Sequence, residues 1–473
     1  MKKLLCILLI AVCAVSLPSC DRNRMDEEIS GEAFSDLESV AMAVEDMYAC
    51  LKYYTVFSNY MIRMGDMRAD LLVPCQGNDV VYSYEYSPTK DSFFTLWHEF
   101  YDTIVKANNI IRNIDDLEVS AQKENRKRDY LGQAYAVRAF CYFNLVRLYG
   151  RPYKFDNGAS LGAVLIQEPL SPSETRLPRN TVAETYNQIE NDIAVAQGFL
   201  AKGINPGHFN YWAARFLEAK VALYKAEYEQ AYSVAKDLIN NGPYSLIPRD
   251  KYLESWSDEG NEESVFEGVM GYQLSNDQEY VMGSSFYCWL WFGYSNSGGT
   301  VVPTKTWIDL FETTPNDIRK QWIAYDDPFT GIRQTGEYWL KKFIGNRNSF
   351  PTVNNPRYMR LAEAYLIAAE AGMMSGKSDA ASLLLAVSQR ADPDVTTIDA
   401  TMENIEIQRM KELIGEGDRF FDLMRRNGTY FKNDPHNPFN VALCWYDDKV
   451  MLPIAEEERI LYPELEQNPG YHH

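Results

Sequence analysis

The chain has 473 residues, a formal net charge of −20 and a hydrophobic content of 46%. This apolar content is typical of a globular protein and excludes a wholly disordered chain, and the length predicts either two domains or a stacked helical architecture. The acidic balance argues against nucleic acid or an anionic membrane surface as the ligand, and it is compatible with neutral or basic ligands. The 32 tyrosines contribute to an aromatic content of 13%, part of which could offer stacking faces to sugar rings.

The amino terminus has the pattern of a targeting signal. A basic start precedes an apolar run that is too short to span a bilayer. The residues Leu-Pro-Ser-Cys at positions 17–20 resemble a bacterial lipobox, which predicts lipidation of Cys20 after removal of a signal peptide, residues 1–19. Ordinary secretion with cleavage near Ser19 is the alternative. The polar residues 20–34 would then form a flexible tether to a membrane.

Helical periodicity dominates the first half of the chain. The pattern Ser35-x-x-Glu38 resembles a capping box and predicts that the first helix begins near Ser35. Further helices are predicted over residues 93–116, 125–149, 180–200, 211–224 and 228–240. The last two carry small side chains at Ala219, Ala222 and Ala231 and share a short turn, a pattern typical of a tetratricopeptide hairpin. A similar hairpin is predicted over residues 358–374 and 378–390.

Two regions depart from this pattern. The alternation of Tyr82, Tyr84 and Tyr86 predicts a short strand on which the three rings share a face. The segment 243–356 is rich in Gly, Asn, Ser and aromatic residues, and an insertion of this length is usually functional or carries its own small subdomain. The elements predicted within it are a short helix around residues 307–311 and a small hairpin over residues 323–343.

Cysteine and histidine spacing predicts no metal site and no cofactor. The cysteines after position 20 are odd in number and widely spaced, so neither a disulfide framework nor a CxxC pair is visible. Cys50 and Cys141 fall on apolar helix faces, where we expect them in the core. The five histidines lack the spacing of metal ligands.

The segment Arg409–Arg426 interleaves both signs of charge with two short apolar helix faces that meet at Gly415–Gly417. Its charged residues can close into ion pairs between turns. We favour a structural charge network over a catalytic or anion-binding cluster, because interleaved charges on helices are usually solvated or paired with each other. The residues assigned to this network are Arg409, Glu412, Glu416, Arg419, Asp422 and Arg425.

This segment resembles the carboxy-terminal signature of the SusD/RagB family of surface glycan-binding lipoproteins. Further motifs that fit the family occur in the expected order. They are Trp97-x-x-x-Tyr101, Arg138-Ala139-Phe140-x-Tyr142-Phe143, Arg179-Asn180-Thr181-Val182, Arg360-Leu361-Ala362-Glu363-Ala364, Leu452-Pro453-Ile454 and Gln467-Asn468-Pro469-Gly470-Tyr471. The chain departs from the family at Ala455, where a second proline is usual, and at Tyr462-Pro463, where Asn-Pro is usual.

The resemblance implies a mainly α fold of tetratricopeptide-like helical hairpins with a large, irregular, ligand-binding insertion that contains short strands. It implies a single domain over residues 35–473, with the helical scaffold at 35–242 and 357–473 and the insertion at 243–356. It also implies a non-enzymatic protein, lipid-anchored at the outer membrane and exposed at the cell surface, that captures oligosaccharides for a SusC-like TonB-dependent transporter.

Three other functions stay open. The first is a peptide-binding, RagB-like importer component, and the second is a tetratricopeptide scaffold that binds only proteins. The third is a helical glycoside hydrolase, which would need two carboxylates roughly 5 to 9 Å apart across a cleft, and no motif selects such a pair.

The family's ligand surface is commonly built from the loop after the first helix and from loops of the insertion, here residues 70–91 and 276–299. A sugar site needs aromatic planes and a few side chains that hydrogen-bond hydroxyl groups. The candidate planes are Tyr82, Tyr84, Trp289, Trp291 and Tyr294, and the candidate polar partners are Gln76, Asn78, Asp79 and Asn296. For each aromatic residue, burial within the insertion is the alternative to ligand contact.

Overall fold

The structure is a computed structural model, and it is mostly helical. The residues that it describes are 34–52, 56–74, 79–89, 95–167, 177–257, 260–269, 272–275, 278–281, 301–325, 338–343, 355–431 and 442–471. Among these residues, no helix combines the length and apolar character needed to cross a membrane. The predicted signal peptide, Cys20 and most of the tether lie outside the described residues.

The amino-terminal half is built mainly from long helices. Its elements are α1 (Leu37–Lys52), β1 (Leu72–Pro74), α2 (Val80–Ser83), α3 (Thr95–Asn113), α4 (Glu124–Tyr149), α5 (Val182–Phe199), α6 (Tyr211–Lys225) and α7 (Tyr228–Asn241). α4 packs against both α3 and α5, and α6 packs against α7 as the predicted hairpin. The turn of this hairpin places Ala226 at φ 64°, in the left-handed region.

The insertion and the carboxy-terminal half mix short strands with helices. The elements of the insertion are α8 (Arg249–Tyr252), β2 (Ser264–Glu267), β3 (Tyr272–Ser275), β4 (Gln278–Val281), β5 (Val301–Pro303), α9 (Lys305–Asp309), β6 (Ile323–Tyr325) and β7 (Tyr338–Leu340). They are followed by β8 (Arg357–Arg360), α10 (Leu361–Met374), α11 (Ala380–Ala391), α12 (Met402–Leu413), α13 (Arg419–Arg425), β9 (Thr429–Phe431), β10 (Ala442–Cys444) and α14 (Glu456–Leu461).

The strands form two-stranded antiparallel ladders, which pair β1 with β5, β2 with β8, β3 with β4, β6 with β7 and β9 with β10. One hydrophobic core cluster includes buried residues from both halves and from the insertion, among them Val44, Val265 and Leu384. α10 packs against α7 and α11, so the two helical hairpins are neighbours in space. The boundaries predicted between scaffold and insertion stay a prediction.

Three local predictions were wrong. The first helix is capped one residue later than predicted, because the Asp36 carboxylate accepts from the Ser39 N–H at 2.8 Å and the Ser39 hydroxyl accepts from the Asp36 N–H. Residues around Tyr82 form α2 rather than a strand, because the Asp79 carboxylate accepts from the N–H groups of Val81 and Tyr82. The second hairpin begins with β8 rather than with a helix, since Arg357–Arg360 pairs with β2.

A buried carboxylate joins the insertion to the carboxy-terminal helices. Glu412 of α12 is inaccessible to solvent, and its oxygens lie 2.7 Å from Arg390, 3.1 Å from Arg360 and 3.1 Å from Arg319. Burial alone would raise the pKa of Glu412, but the three guanidinium groups outweigh it and hold the pKa well below its ordinary value. The arginines come from α11, β8 and a 3₁₀ turn of the insertion, so one carboxylate fixes three elements.

The other members of the predicted network are also buried and paired, mostly with partners outside their own segment. Two pairs lie within it, Arg409 with Asp422 at 2.5 Å and Arg425 with Asp422 at 2.8 Å. The pairs that leave the segment are Arg425 with Glu370 at 2.6 Å, Glu416 with Arg360 at 2.8 Å, Glu416 with Lys342 at 2.6 Å and Arg419 with Asp70 at 2.7 Å. These contacts connect α12 and α13 to α10, β8 and the segment before β1.

The glycine turn between α12 and α13 lies directly against the backbone of residues 61–65. Gly417 has a φ of +83°, and a Cβ there would stand 2.6 Å from the carbonyl oxygen of Met61. On the facing segment, a Cβ on Gly65 would stand 2.0 Å from the backbone of Gly417. The buried Asp66 carboxylate accepts from the Gly415 N–H at 2.6 Å, which completes the contact.

We expect Gly417→Ala to lower the free energy of unfolding by roughly 2 kcal/mol or more, because the methyl group meets both a positive φ and a facing backbone. Urea denaturation measures the loss. Gly376→Ala is the matched control, since Gly376 has a φ of +71° but open space around the added Cβ. That control should lose about 1 kcal/mol. Equal losses in the two variants would contradict the close backbone contact.

We expect Glu412→Gln to cost about 3 kcal/mol at neutral pH, because it removes the buried carboxylate that three guanidinium groups share. Each arginine keeps at least one other acidic contact, Arg319 with Asp317, Arg390 with Glu263, and Arg360 with Glu263 and Glu416. The pKa of Glu412 is lowered on folding, so its contribution to stability is present above the ordinary glutamate pKa and is lost as the pH falls below it. Urea titrations across acidic pH should therefore show a shallower acid-side loss in the variant than in the wild type.

The control for Glu412→Gln is Glu38→Gln. Glu38 pairs with Arg126 at 3.1 Å with both side chains about half or more exposed (69% and 49%). Exposed ion pairs contribute little, so this variant should stay within about 0.5 kcal/mol of the wild type. A Glu412→Gln variant that is no less stable than this control would show that the buried pairs do not hold the fold.

Candidate functional site

Three of the predicted ligand-binding residues lie in the described part of the chain, namely Asp79, Tyr82 and Tyr84. The others, Gln76, Asn78, Trp289, Trp291, Tyr294 and Asn296, lie outside the described residues, and their role stays a prediction. The structure describes the strands that border these residues in the chain, β1 before the first segment and β5 after the second.

The β1–β5 ladder brings the end of β1 next to the start of β5, the two strands that border the predicted ligand segments in the chain. Pro74, the last residue of β1, pairs with Val301, the first residue of β5. In an antiparallel pair, the end of one strand faces the start of the other. The chain therefore leaves β1 and enters β5 at the same edge, although these residues are far apart in sequence. We call this edge, together with the adjacent β6–β7 hairpin, the loop edge.

The β6–β7 hairpin adds two exposed aromatic rings to the loop edge. β7 packs against β5, and Tyr325 of β6 pairs directly with Tyr338 of β7. Directly opposed side chains lie on one face of a ladder, and these two ring centroids are 5.1 Å apart. The rings are 54% and 43% exposed, so both are accessible to a ligand. Such a pair offers an apolar face to a sugar ring.

Sequence reasoning predicted the hairpin itself but did not select these two tyrosines. The available signal was their position in the predicted hairpin, Tyr325 near the end of its first strand and Tyr338 near the start of its second. Whether these two tyrosines face each other depends on the register of the two strands, which cannot be read from the sequence between them.

Asp79 follows the end of β1 by five residues in the chain, and it is already engaged by the protein. One carboxylate oxygen accepts from the Val81 N–H at 2.8 Å, and the other pairs with the guanidinium of Arg63. Both side chains stay partly exposed, at 24% for Asp79 and 19% for Arg63. The pair can therefore meet a hydroxyl-bearing ligand as a fixed, charged group. Arg63 was missed because no local pattern linked it to Asp79.

Tyr82 and Tyr84 do not have the accessible rings that stacking requires. They are 1% and 4% exposed, and the Tyr84 hydroxyl donates to the carbonyl oxygen of Arg68. The cause is the local fold, in which Tyr82 lies within α2 and Tyr84 follows the helix in the left-handed conformation, at φ 58°. Both side chains are buried, whereas the predicted strand would have left one face open. In this conformation, their assignment as stacking planes is wrong.

The charge network is connected to the loop edge through Asp70 and Thr304. The Thr304 hydroxyl donates to the Asp70 carbonyl oxygen at 2.6 Å, and the Thr304 N–H donates to the Leu71 carbonyl oxygen at 2.9 Å. The Asp70 carboxylate, in turn, forms two hydrogen bonds with Arg419, at 2.7 and 2.8 Å. Arg419 therefore acts two contacts away from β5 and does not form part of the loop edge.

Within the described ranges, no group of three or more His, Cys, Asp or Glu side chains is arranged to hold a metal ion. The loop edge carries an exposed aromatic pair, and the segment after β1 carries a partly exposed ion pair. These features suit the binding of a neutral, hydroxyl-rich ligand, since ring faces and hydrogen-bonding groups are what such ligands engage.

Two family models match the chain. The model of the SusD family matches residues 320–471, and a model described as "Starch-binding associating with outer membrane" matches residues 31–223. The first match includes the β6–β7 hairpin and the charge network, and the second includes α1 to α5 and most of α6. The described association with the outer membrane agrees with the location implied by the sequence.

Known proteins resemble the chain over almost its whole length. A SusD superfamily protein of Bacteroides vulgatus is 30% identical, with a TM-score of 0.83 over 93% of this chain and 100% of that one. SusD-like protein P25 of Formosa agariphila is 25% identical over 84% of each chain. A laminarin binding SusD-like protein, 22% identical, has the same fold, with a TM-score of 0.71 over 93% of this chain and 100% of that one.

These matches confirm the mainly α, tetratricopeptide-like fold that the motifs implied. The chain therefore belongs to the SusD family of starch- and glycan-binding proteins.

Proposed function

We propose that the protein is a cell-surface lipoprotein that captures oligosaccharides at the loop edge and delivers them to a SusC-like TonB-dependent transporter. The observation that carries this proposal is the exposed pair of Tyr325 and Tyr338 beside the β1–β5 ladder. A laminarin-binding relative with the same fold supports a glycan as the ligand class.

Capture depends on shape and on hydrogen bonding rather than on net charge. The apolar face of a pyranose ring packs against the tyrosine pair, while the Arg63–Asp79 pair and polar side chains of the neighbouring segments engage hydroxyl groups. The net charge of −20 makes an anionic glycan a poor ligand, because its approach would be opposed at long range. A neutral oligosaccharide meets no such barrier.

Delivery requires that the protein stays at the outer membrane beside its transporter. Lipidation of Cys20 would supply the anchor, and residues 20–34 would supply the tether that lets the folded domain move over the membrane surface. The family description of association with the outer membrane supports this location.

Replacing Cys20 with Ala should remove the lipid anchor, because only the cysteine thiol can carry the thioether-linked lipid. We expect the variant to leave the membrane fraction while the purified domain still binds glycan. Cell fractionation followed by immunoblotting measures the shift. A Cys20→Ala variant that stays in the membrane fraction at the wild-type level would contradict lipid anchoring.

Tyr325→Ala and Tyr338→Ala should each weaken glycan binding roughly fivefold, the equivalent of about 1 kcal/mol for one stacked ring. Affinity electrophoresis against a panel of neutral polysaccharides identifies the ligand and measures the loss. Tyr446→Ala is the matched control, since Tyr446 is 60% exposed but lies on the turn after β10 rather than in the hairpin. Unchanged retention of both hairpin variants would contradict the assigned site.

The same gels separate the competing functions. Retention without release of product supports a binding protein, whereas release of oligosaccharide would establish a glycoside hydrolase. Failure to retain any glycan, together with binding of peptides, would establish a peptide-binding, RagB-like importer component. In either of the last two cases the proposed function is wrong, whatever the tyrosine variants do.

A further inference from the structure

The facing surfaces of α1 and α3 place a cysteine thiol against a lysine ammonium group. The Nζ atom of Lys106 lies 3.1 Å from the Sγ atom of Cys50 and donates a hydrogen bond to it. The two helices pack against each other, and the two residues are 56 positions apart in sequence. This contact belongs neither to the loop edge nor to the charge network.

Two carboxylates hold the thiol and the ammonium group together. Asp46 lies 3.0 Å from the Lys106 Nζ atom, and Asp102 lies 3.4 Å from it. The Cys50 thiol donates to Asp102 at 3.0 Å. The site is close to solvent, with the Lys106 side chain 24% exposed and Cys50 at 9%. Cys141 differs because it is fully buried in the core.

We propose that Cys50 and Lys106 are joined by a covalent N–O–S bridge when the protein is exposed to molecular oxygen. One oxygen atom becomes the bridge, and the other leaves as water. The thiol, the ammonium group and O₂ thus yield the bridge, one water and one proton, which Asp102 can pass to solvent. Sulfur and nitrogen each lose two electrons, and the two oxygen atoms take up all four.

The geometry favours a bridge through oxygen over a direct sulfur–nitrogen bond. A single inserted atom fits between two atoms 3.1 Å apart with little displacement, whereas a direct bond would have to draw the two helices together. Burial, aided by Asp102, raises the pKa of the Cys50 thiol to about 12, so the thiol is protonated at neutral pH and reacts poorly with dissolved reagents. The Lys106 amine is nevertheless an effective reaction partner, because the fold holds it next to the thiol.

The bridge would fasten α1 to α3 and close a long loop of the unfolded chain. A covalent link of this kind stabilises a fold mainly by restricting the unfolded state. The oxidised protein should therefore unfold at a higher temperature than the same protein treated with dithiothreitol. This property is independent of glycan binding, so it does not depend on the proposed function.

Peptide mass spectrometry of the purified protein, kept in oxygen-saturated buffer and then digested without reductant, tests the proposal. We expect a linked pair of peptides that contain Cys50 and Lys106, heavier than the two separate peptides by one oxygen minus two hydrogens. Dithiothreitol should abolish the linked pair, and a parallel sample kept under argon should lack it.

Lys106→Arg keeps the positive charge beside both carboxylates but removes the reacting amine, so it should lose the linked pair and the reductant-sensitive rise in Tm. Cys141→Ala is the cysteine control and should keep both. Complete recovery of unlinked Cys50 and Lys106 peptides from the oxygen-treated wild type would overturn the proposal, even if a variant fails to fold. A mass lower by two hydrogens only would replace the N–O–S bridge with a direct sulfur–nitrogen bond.

Discussion

The fold depends on a buried carboxylate that three arginines surround. Glu412 is inaccessible to solvent, and it lies within 3.1 Å of guanidinium groups from α11, from β8 and from the insertion. Charges so deeply buried are tolerated only where every one of them is paired and hydrogen-bonded. The positions of the three elements are therefore not independent, because moving one would leave a buried charge without its partner.

This constraint extends from the scaffold to the loop edge. Glu416 pairs with Arg360 and Lys342, and Lys342 follows β7 by two residues. On the other side, Arg419 pairs with Asp70, which precedes β1 by two residues. Glu416, between α12 and α13, and Arg419, the first residue of α13, thus hold residues that flank the β6–β7 hairpin and β1. The network thereby connects the helical scaffold to the strands of the loop edge.

Sequence periodicity predicted those parts of the fold that local physics decides. α4, α6 and α7 were predicted to within one residue, since apolar spacing and the stop at Gly150 are local signals. α2 was missed because the Asp79 cap competed with the alternation of tyrosines, and the cap prevailed. The partners of Glu412 could not be predicted, since Arg319 and Arg360 approach it only through the tertiary fold.

At the loop edge, too, local features could be predicted from the sequence and long-range contacts could not. Its segments could be predicted from composition and from the family resemblance, but the pairing of Pro74 with Val301 and of Tyr325 with Tyr338 is a matter of long-range register. The proposed site thus lies where distant strands meet, whereas the most recognisable motif of the sequence forms buried ion pairs that connect elements of the scaffold.

Amide hydrogen–deuterium exchange, with and without an oligosaccharide that the protein retains, tests whether the glycan binds at the loop edge rather than at the charge network. We expect the glycan to slow exchange in peptides that cover Leu72–Pro74, Val301–Pro303 and the β6–β7 hairpin. We expect slow exchange in Met402–Arg425 both with and without the glycan, since those amides belong to elements that buried ion pairs hold in place. Protection by the glycan that is confined to Met402–Arg425, with no change at the three strand segments, would show that the glycan binds at the charge network instead.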